Sequence, residues 1–209
     1  MAGNILSIYR LLNIEILRCQ CLFKDTGKNS TLSEKIYLSA EQTLADAYLL
    51  GAKVLQSGFL PDLIIGVWRG GTPIAIAVHE LLQCQGVEAD HIPIRSERDK
   101  TVEVYGLDYV AAHLDQIQRI LIVDDVFDSG LSMAQILADI DLLSRENKLE
   151  CRVAVPWYKP EKNLTTYKPD YFLHTSDAWL VFPHELCGLN QAELLQQKPG
   201  IEAIKHLFE

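Results

Sequence analysis

The chain is poor in cysteine and pairs none of what it has. Its five cysteines, Cys19, Cys21, Cys84, Cys151 and Cys187, are odd in number and scattered, with no C-x-x-C pair among 209 residues. A secreted disulfide framework is denser and even-numbered, so these read as free thiols in a reducing cytoplasm. Cys19-Gln20-Cys21 has no second ligand pair at zinc spacing, which argues against a structural zinc. No uncharged apolar run reaches 18 residues, so no membrane span is expected. No apolar stretch of signal-peptide form precedes a small-residue cleavage site near the start. Bases are the minority, 19 against 28 acids, for a net charge of −9. Residues 1–30 hold four bases and two acids, so the remaining 179 residues carry −11, a poor surface for phosphate backbones; no nucleic-acid partner is expected.

What is present is ordinary for a globular protein: 48% apolar and 22% charged residues, at a length that fits one domain with an appendage. Residues 1–30 read as an N-terminal extension: Asn4 to Phe23 is apolar but broken by Arg10, Asn13, Glu15 and Arg18, as in an amphipathic helix, and Asp25 to Ser30 is a polar linker. The domain spans 31–209. Ser39-Ala-Glu-Gln42 is a capping box for a helix with apolar spacing at Leu44, Tyr48 and Leu55, ending at Gly58. Leu63 to Trp68 is a buried strand. After the Arg69-Gly-Gly71 turn, Thr72 caps a helix with Pro73 at its first position, and that helix stops at Gly86. His91 to Arg95 is a short strand, Ser96 to Val104 a polar loop, and a helix is expected around Leu107 to Leu114. Ile120 to Val123 is a second buried strand, followed by a helix from about Ser129 to Leu143. Cys151 to Tyr158 and Tyr171 to His174 supply further strands. Asn190-Gln-Ala-Glu193 is a second capping box, opening a helix interrupted at Pro199-Gly200. Near-continuous apolar strands alternating with helices predict an α/β fold, a mainly parallel sheet covered by helices on both faces.

The chemistry concentrates in Ile120-Leu-Ile-Val-Asp-Asp-Val-Phe-Asp-Ser-Gly-Leu-Ser132. A buried strand delivers Asp124 and Asp125 to its C-terminal end, where open α/β sheets bind ligands. Asp128 and Ser129-Gly130 follow at the entry to a helix. Backbone N–H groups there, with the hydroxyls of Ser129 and Ser132, make a cradle for an anion. A helix cap needs one acid or hydroxyl, and that does not account for three aspartates and a Ser-Gly-x-Ser turn.

This stretch resembles the binding motif for 5-phosphoribosyl-1-pyrophosphate (PRPP) in type I phosphoribosyltransferases, a hydrophobic strand, two acids, then Asp-Thr/Ser-Gly-x-Thr/Ser. Leu131 stands where the family commonly has a second glycine, and Ser129 where threonine is usual. Trp68-Arg69-Gly70-Gly71 follows the first buried strand, where the family places its pyrophosphate loop. Trp157-Tyr-Lys-Pro160 with Asp177-Ala-Trp-Leu-Val-Phe-Pro-His-Glu185 looks like the 6-oxopurine branch, the hypoxanthine and xanthine-guanine enzymes. The resemblance covers roughly Tyr37 to Leu189. It implies the type I fold with a small C-terminal hood carrying the purine segment.

By that resemblance PRPP is held by Arg69, Gly70, Asp124, Asp125 and the loop Val126, Phe127, Asp128, Ser129, Gly130, Leu131 and Ser132. Asp128 is the catalytic carboxylate near purine N7. Lys159 donates to the purine O6, Trp179 stacks on the base and the backbone of Leu180 reads its edge. Magnesium is the implied cofactor, with Asp125 and Asp124 at the metal and Glu185 holding its water. A homo-oligomer, dimer or tetramer, is implied. The resemblance departs at the closing loop: Ile94 to Tyr105 is short and lacks the family's Ser-Tyr pair. A PRPP-binding sensor with little turnover is therefore the alternative function, and orotate or adenine the alternative bases. Orotate does not call for the Lys159–Trp179 pair, and adenine presents an amino group where Lys159 needs an acceptor. His184 is expected to pack or meet solvent.

Overall fold

A computed structural model describes residues 35–98, 102–144 and 149–208. The expected helix and linker of residues 1–30 lie outside the described residues. The chain divides into two compact units, one ending at His184 and a C-terminal one beginning at Glu185.

The first unit runs β1 (Lys35–Tyr37), α1 (Ala40–Gln56), β2 (Leu63–Trp68), α2 (Gly71–Cys84), β3 (Asp90–Arg98), β4 (Val102–Tyr105), α3 (Asp108–Ala112), β5 (Arg119–Val123), β6 (Val126–Phe127), α4 (Leu131–Leu143), β7 (Glu150–Ala154), β8 (Trp157–Tyr158), β9 (His174–Thr175) and β10 (Trp179–Val181). Its main sheet has the order β4-β3-β2-β5-β7, parallel throughout except for the β3–β4 edge. Strands β6, β8 and β9 form a second, parallel sheet, and β1 pairs parallel with β10. The α/β expectation holds, with its helices on two faces.

Alternation along the strands divides the core. Ile64, Leu121 and Val123 pack with Leu50 and Val54 of α1 and Ile74 and Val78 of α2. Leu63, Ile65, Ile120 and Ile122 pack with Ile136 and Ile140 of α4. Each fully buried aliphatic side chain contributes about 1.5–3 kcal/mol, so the central strands are held from both sides and their C-terminal ends are fixed in space. The described cysteines, Cys84, Cys151 and Cys187, are free thiols. Burial, reinforced by Asp141, Asp170 and Glu150, pushes the Cys151 thiol up to about 11, so it stays protonated at neutral pH.

Five local expectations are corrected. In α1 the buried face is Thr43, Asp46, Ala47, Leu50, Gly51 and Val54, whereas Leu44 and Tyr48 are exposed. The capping box at Ser39 is only half formed: Ser39 accepts from Gln42 N–H, but the Gln42 amide donates to Asp46 Oδ1 at 2.7 Å. Asp46, 2% exposed, needs that donor more than the cap does. Helix α2 begins at Gly71 with Gly70 as its cap residue, so Thr72 lies inside the first turn. Its hydroxyl is buried without a hydrogen-bond partner among the described residues. Ser96 to Val104 is no loop at its described ends, because β3 and β4 pair as an antiparallel hairpin with Arg95 opposite Tyr105. In the strand expected from Cys151 to Tyr158, β7 and β8 are separated by Val155-Pro156.

The C-terminal unit holds α5 (Gln191–Gln197) and a 3-10 turn, Ile201–Leu207. Here the capping box is complete, Asn190 and Glu193 each accepting the other's backbone N–H at 2.9 Å.

Candidate active site

The site is assembled at the C-terminal ends of β2 and β5, with β8 and β10 adding further groups. Strand β2 ends at Trp68, and the turn Arg69-Gly70 leads straight into α2. The Trp68–Arg69 peptide is cis. Arg69 is exposed. Strand β5 ends at Val123 and hands over Asp124 and Asp125. The turn and the acids press together: a Cβ on Gly70 would lie 1.8 Å from Asp125 Oδ2, and one on Gly71 2.9 Å from Asp124 Oδ1. Only glycine allows this approach at position 70, since no side chain can share that space with a carboxylate.

The two carboxylates are adjacent and enclosed. Asp125 N–H donates to Asp124 Oδ1 at 2.9 Å, and Asp125 is 9% exposed. Burial, then the neighbouring charge of Asp125, raises the Asp124 pKa well above the carboxylate range. His184 brings Nε2 to 3.8 Å from Asp125 Oδ2, at ion-pair rather than hydrogen-bond distance, with its ring stacked on Phe182 at 5.8 Å. The expectation that His184 packs or meets solvent misses this approach to Asp125; its position three residues beyond β10 is the available signal.

Past Asp125 the chain forms the short strand β6, then Asp128, Ser129 and Gly130 before α4. The expected start at Ser129 moves to Leu131 because Gly130 is left-handed, at φ +74°. Ser129 Oγ lies 3.5 Å from Leu131 N–H, and the first N–H groups of α4 have no intrahelical partner, which leaves them for an anion.

Strand β8 runs beside β6 with Val126 opposite Trp157 and Phe127 opposite Tyr158. One residue beyond each strand, Lys159 Nζ donates to Asp128 Oδ2 at 3.0 Å. Lys159 is buried, its side chain 7% exposed, while that of Asp128 is 47% exposed. The lysine is thus shielded from bulk water beside a half-exposed carboxylate.

Trp179 and Leu180 lie on β10. Leu180 is buried, and the Trp179 ring is 44% exposed with Lys35 Nζ 4.9 Å from its centroid, so one indole face is covered. Glu185 opens the C-terminal unit. Among the described residues no three His, Cys, Asp or Glu side chains converge as a metal cage. Two adjacent carboxylates against a glycine turn nevertheless fit magnesium, which is commonly held by one or two carboxylates plus substrate phosphates.

The fold thus sets an acidic pair beside a helix N-terminus at the strand ends of a parallel sheet. The chain belongs to the phosphoribosyl transferase domain family, whose model it matches over residues 34–187. Among solved structures it resembles a purine phosphoribosyltransferase from Pyrococcus horikoshii at 26% identity, TM-score 0.57, covering 74% of this chain and 97% of that one. A Neisseria gonorrhoeae protein solved with bound ppGpp shares the fold at 21% identity and TM-score 0.62, covering 80% of this chain and 97% of that one. The xanthine-guanine-hypoxanthine phosphoribosyltransferase of Helicobacter pylori does so at 23% identity and TM-score 0.55, covering 71% and 92%. No curated protein matches the sequence significantly. Among the described residues no helix is long and apolar enough to cross a membrane.

The raised Asp124 pKa makes a stability prediction. The folded state holds this proton to a higher pH than the unfolded chain does, so the group's contribution is favourable at low pH. It is lost as pH rises through the folded value. Asp124→Asn keeps the Oδ1 acceptor for Asp125 N–H and removes the repulsion. At pH 7 without divalent cations it should raise the melting midpoint by about 2–4 °C, and the gain should shrink towards pH 4. Calorimetry at both pH values checks this; an unchanged or lowered midpoint at pH 7 contradicts it.

Proposed function

We propose that this chain transfers the phosphoribosyl group of PRPP to a 6-oxopurine, giving the nucleoside 5′-monophosphate and pyrophosphate. The observation that carries this is the Lys159 ammonium, buried and 3.0 Å from Asp128 at the mouth of the anion loop. The pair suits two neighbouring positions of one purine, Lys159 donating to O6 and Asp128 standing at N7. At position 6 of adenine a second donor would face the ammonium, so the lysine favours an oxygen. The exposed Trp179 ring offers a face for stacking, and the Leu180 backbone a means to read the base edge.

The chemistry breaks the C1′–O bond to pyrophosphate and forms C1′–N with the purine, through a transition state of oxocarbenium character. Arg69 and the Gly70-Gly71 amides face the charge that builds on the departing pyrophosphate. The loop Phe127 to Ser132 holds the 5′-phosphate, and Asp124 and Asp125 face the ribose hydroxyls. Asp128 takes or holds the purine proton at N7. Asp125 and Asp124 would hold magnesium, and a bound ion would supply Lewis-acid neutralisation of the pyrophosphate. Holding two substrates in register supplies much of the remaining acceleration. Action in the cytoplasm as a homo-oligomer belongs to the same proposal.

Asp128→Asn should lower kcat about 10²–10⁴-fold while PRPP affinity by calorimetry stays largely intact; near-normal turnover removes Asp128 from its role. Trp179→Ala should raise the purine KM about tenfold or more and spare that of PRPP. Equal losses for both substrates in steady-state kinetics would make the tryptophan structural.

A further inference from the structure

The loop that cradles the anion is supported from behind by a segment that has no assigned role. Past Lys159 the chain turns through Pro160–Lys162 to Asn163, whose side chain uses every hydrogen-bonding position of its amide. Oδ1 accepts from Thr165 N–H and from Thr165 Oγ1, each at 2.9 Å. Nδ2 donates to Tyr158 Oη at 3.2 Å and to the Tyr167 carbonyl at 2.8 Å. This cluster touches the loop directly: Leu164 N–H donates to the Ser129 carbonyl at 3.0 Å. A Cβ on Gly130 would lie 2.7 Å from Thr165 Oγ1 and 2.9 Å from Asn163 Oδ1. Gly130, left-handed and without a side chain, therefore rests on the Asn163–Thr165 pair. The same amide steadies Tyr158, whose ring meets Phe127 edge-on at 5.6 Å, and Phe127 begins the loop. At the loop's other end, Lys159 N–H donates to the Phe127 carbonyl at 2.9 Å. The segment from Lys159 to Leu164 thus clamps Phe127 to Ser129 at both ends, and Asn163 organises the second clamp.

We infer that Asn163, through Thr165, is a positioning residue that fixes the loop 127–132 in the shape that receives a phosphate monoester; this rests on the reading of that loop under the proposed function. A binding loop must be held to about 0.5 Å by neighbours whose own rotamers are locked, and a fully satisfied amide is locked. The backbone clamp from Lys159 N–H to the Phe127 carbonyl does not use the Asn163 side chain. Loss of Asn163 should therefore be felt on the phosphate side first.

The test measures ribose 5-phosphate binding by calorimetry and steady-state constants for the parent chain, Asn163→Ala, Asn163→Asp and Thr165→Val. Asn163→Ala should weaken ribose 5-phosphate about 5–20-fold and raise the PRPP KM comparably, with kcat and the purine KM within about twofold. Asn163→Asp keeps the two acceptances from Thr165 and should recover part of the loss. Thr165→Val, which removes the hydroxyl that donates to Asn163 Oδ1 and accepts from Tyr167 N–H but keeps the Thr165 N–H bond to Asn163, should show a smaller loss in the same direction, and it decides the matter if Asn163→Ala does not fold. Parent-like ribose 5-phosphate affinity in the folded variants, or purine and PRPP constants moving together, overturns the inference. Failure of the parent chain to bind ribose 5-phosphate overturns the proposed loop assignment, and the inference with it.

Discussion

A lysine ammonium taken out of water must find a counter-charge, and here it finds Asp128. Most of the site's arrangement follows from how the backbone guarantees that meeting. Strands β6 and β8 run parallel with Phe127 opposite Tyr158, so the next residue on each, Asp128 and Lys159, continues the ladder as an ion pair at 3.0 Å. The Lys159 N–H to Phe127 carbonyl bond fixes the register at the same place. A two-residue strand pair is weak alone, but it hangs on β5 and β7, whose buried faces lock the main sheet. The core thereby sets the geometry of a charge pair that solvent reaches from one side only.

The acidic pair imposes a second constraint. Two carboxylates on consecutive residues, pressed against the Gly70-Gly71 turn, repel each other, and burial makes the repulsion more costly. The fold accepts that cost where β2 and β5 end side by side, joined by parallel pairing up to Gly66 and Val123. Stability given up at such a place is the usual mark of a site prepared for a ligand of opposite charge. A cation bound there would offset that repulsion.

Much of this was legible in the residues, and the parts that were not share physical causes. Leu63–Val67 and Ile120–Val123 are short apolar runs buried on both faces, which their length and bounding turn residues reveal. The acids, serines and glycines after them follow from where a parallel sheet presents its strand ends. The hairpin β3–β4 was hidden because an edge strand exposed to water is composed like a loop, with its order supplied by backbone hydrogen bonds. Helix α1 misled because its buried face uses small and polar residues, Thr43, Asp46, Ala47 and Gly51, while Leu44 and Tyr48 face outward. Asp46 is satisfied by His174, 128 residues away, a pairing no local pattern encodes. The approach of His184 to Asp125 and the seat that Asn163 makes for Gly130 are of the same kind: short contacts between segments distant in sequence.

We propose one site for a 6-oxopurine and PRPP, formed by the Lys159–Asp128 pair and the anion loop beside it. It is tested most directly by offering the intact chain PRPP, magnesium and an equimolar mixture of hypoxanthine, guanine, xanthine, adenine and orotate, and identifying the nucleotides by mass. Nucleoside 5′-monophosphates are expected from one or more of the three 6-oxopurines, with one pyrophosphate released per nucleotide and no nucleotide formed from adenine or orotate. Adenylate or orotidylate as the main product would contradict the assignment of Lys159. Saturable PRPP binding with no nucleotide formed from any base would contradict the transferase reading and make this a site that binds PRPP without turning it over.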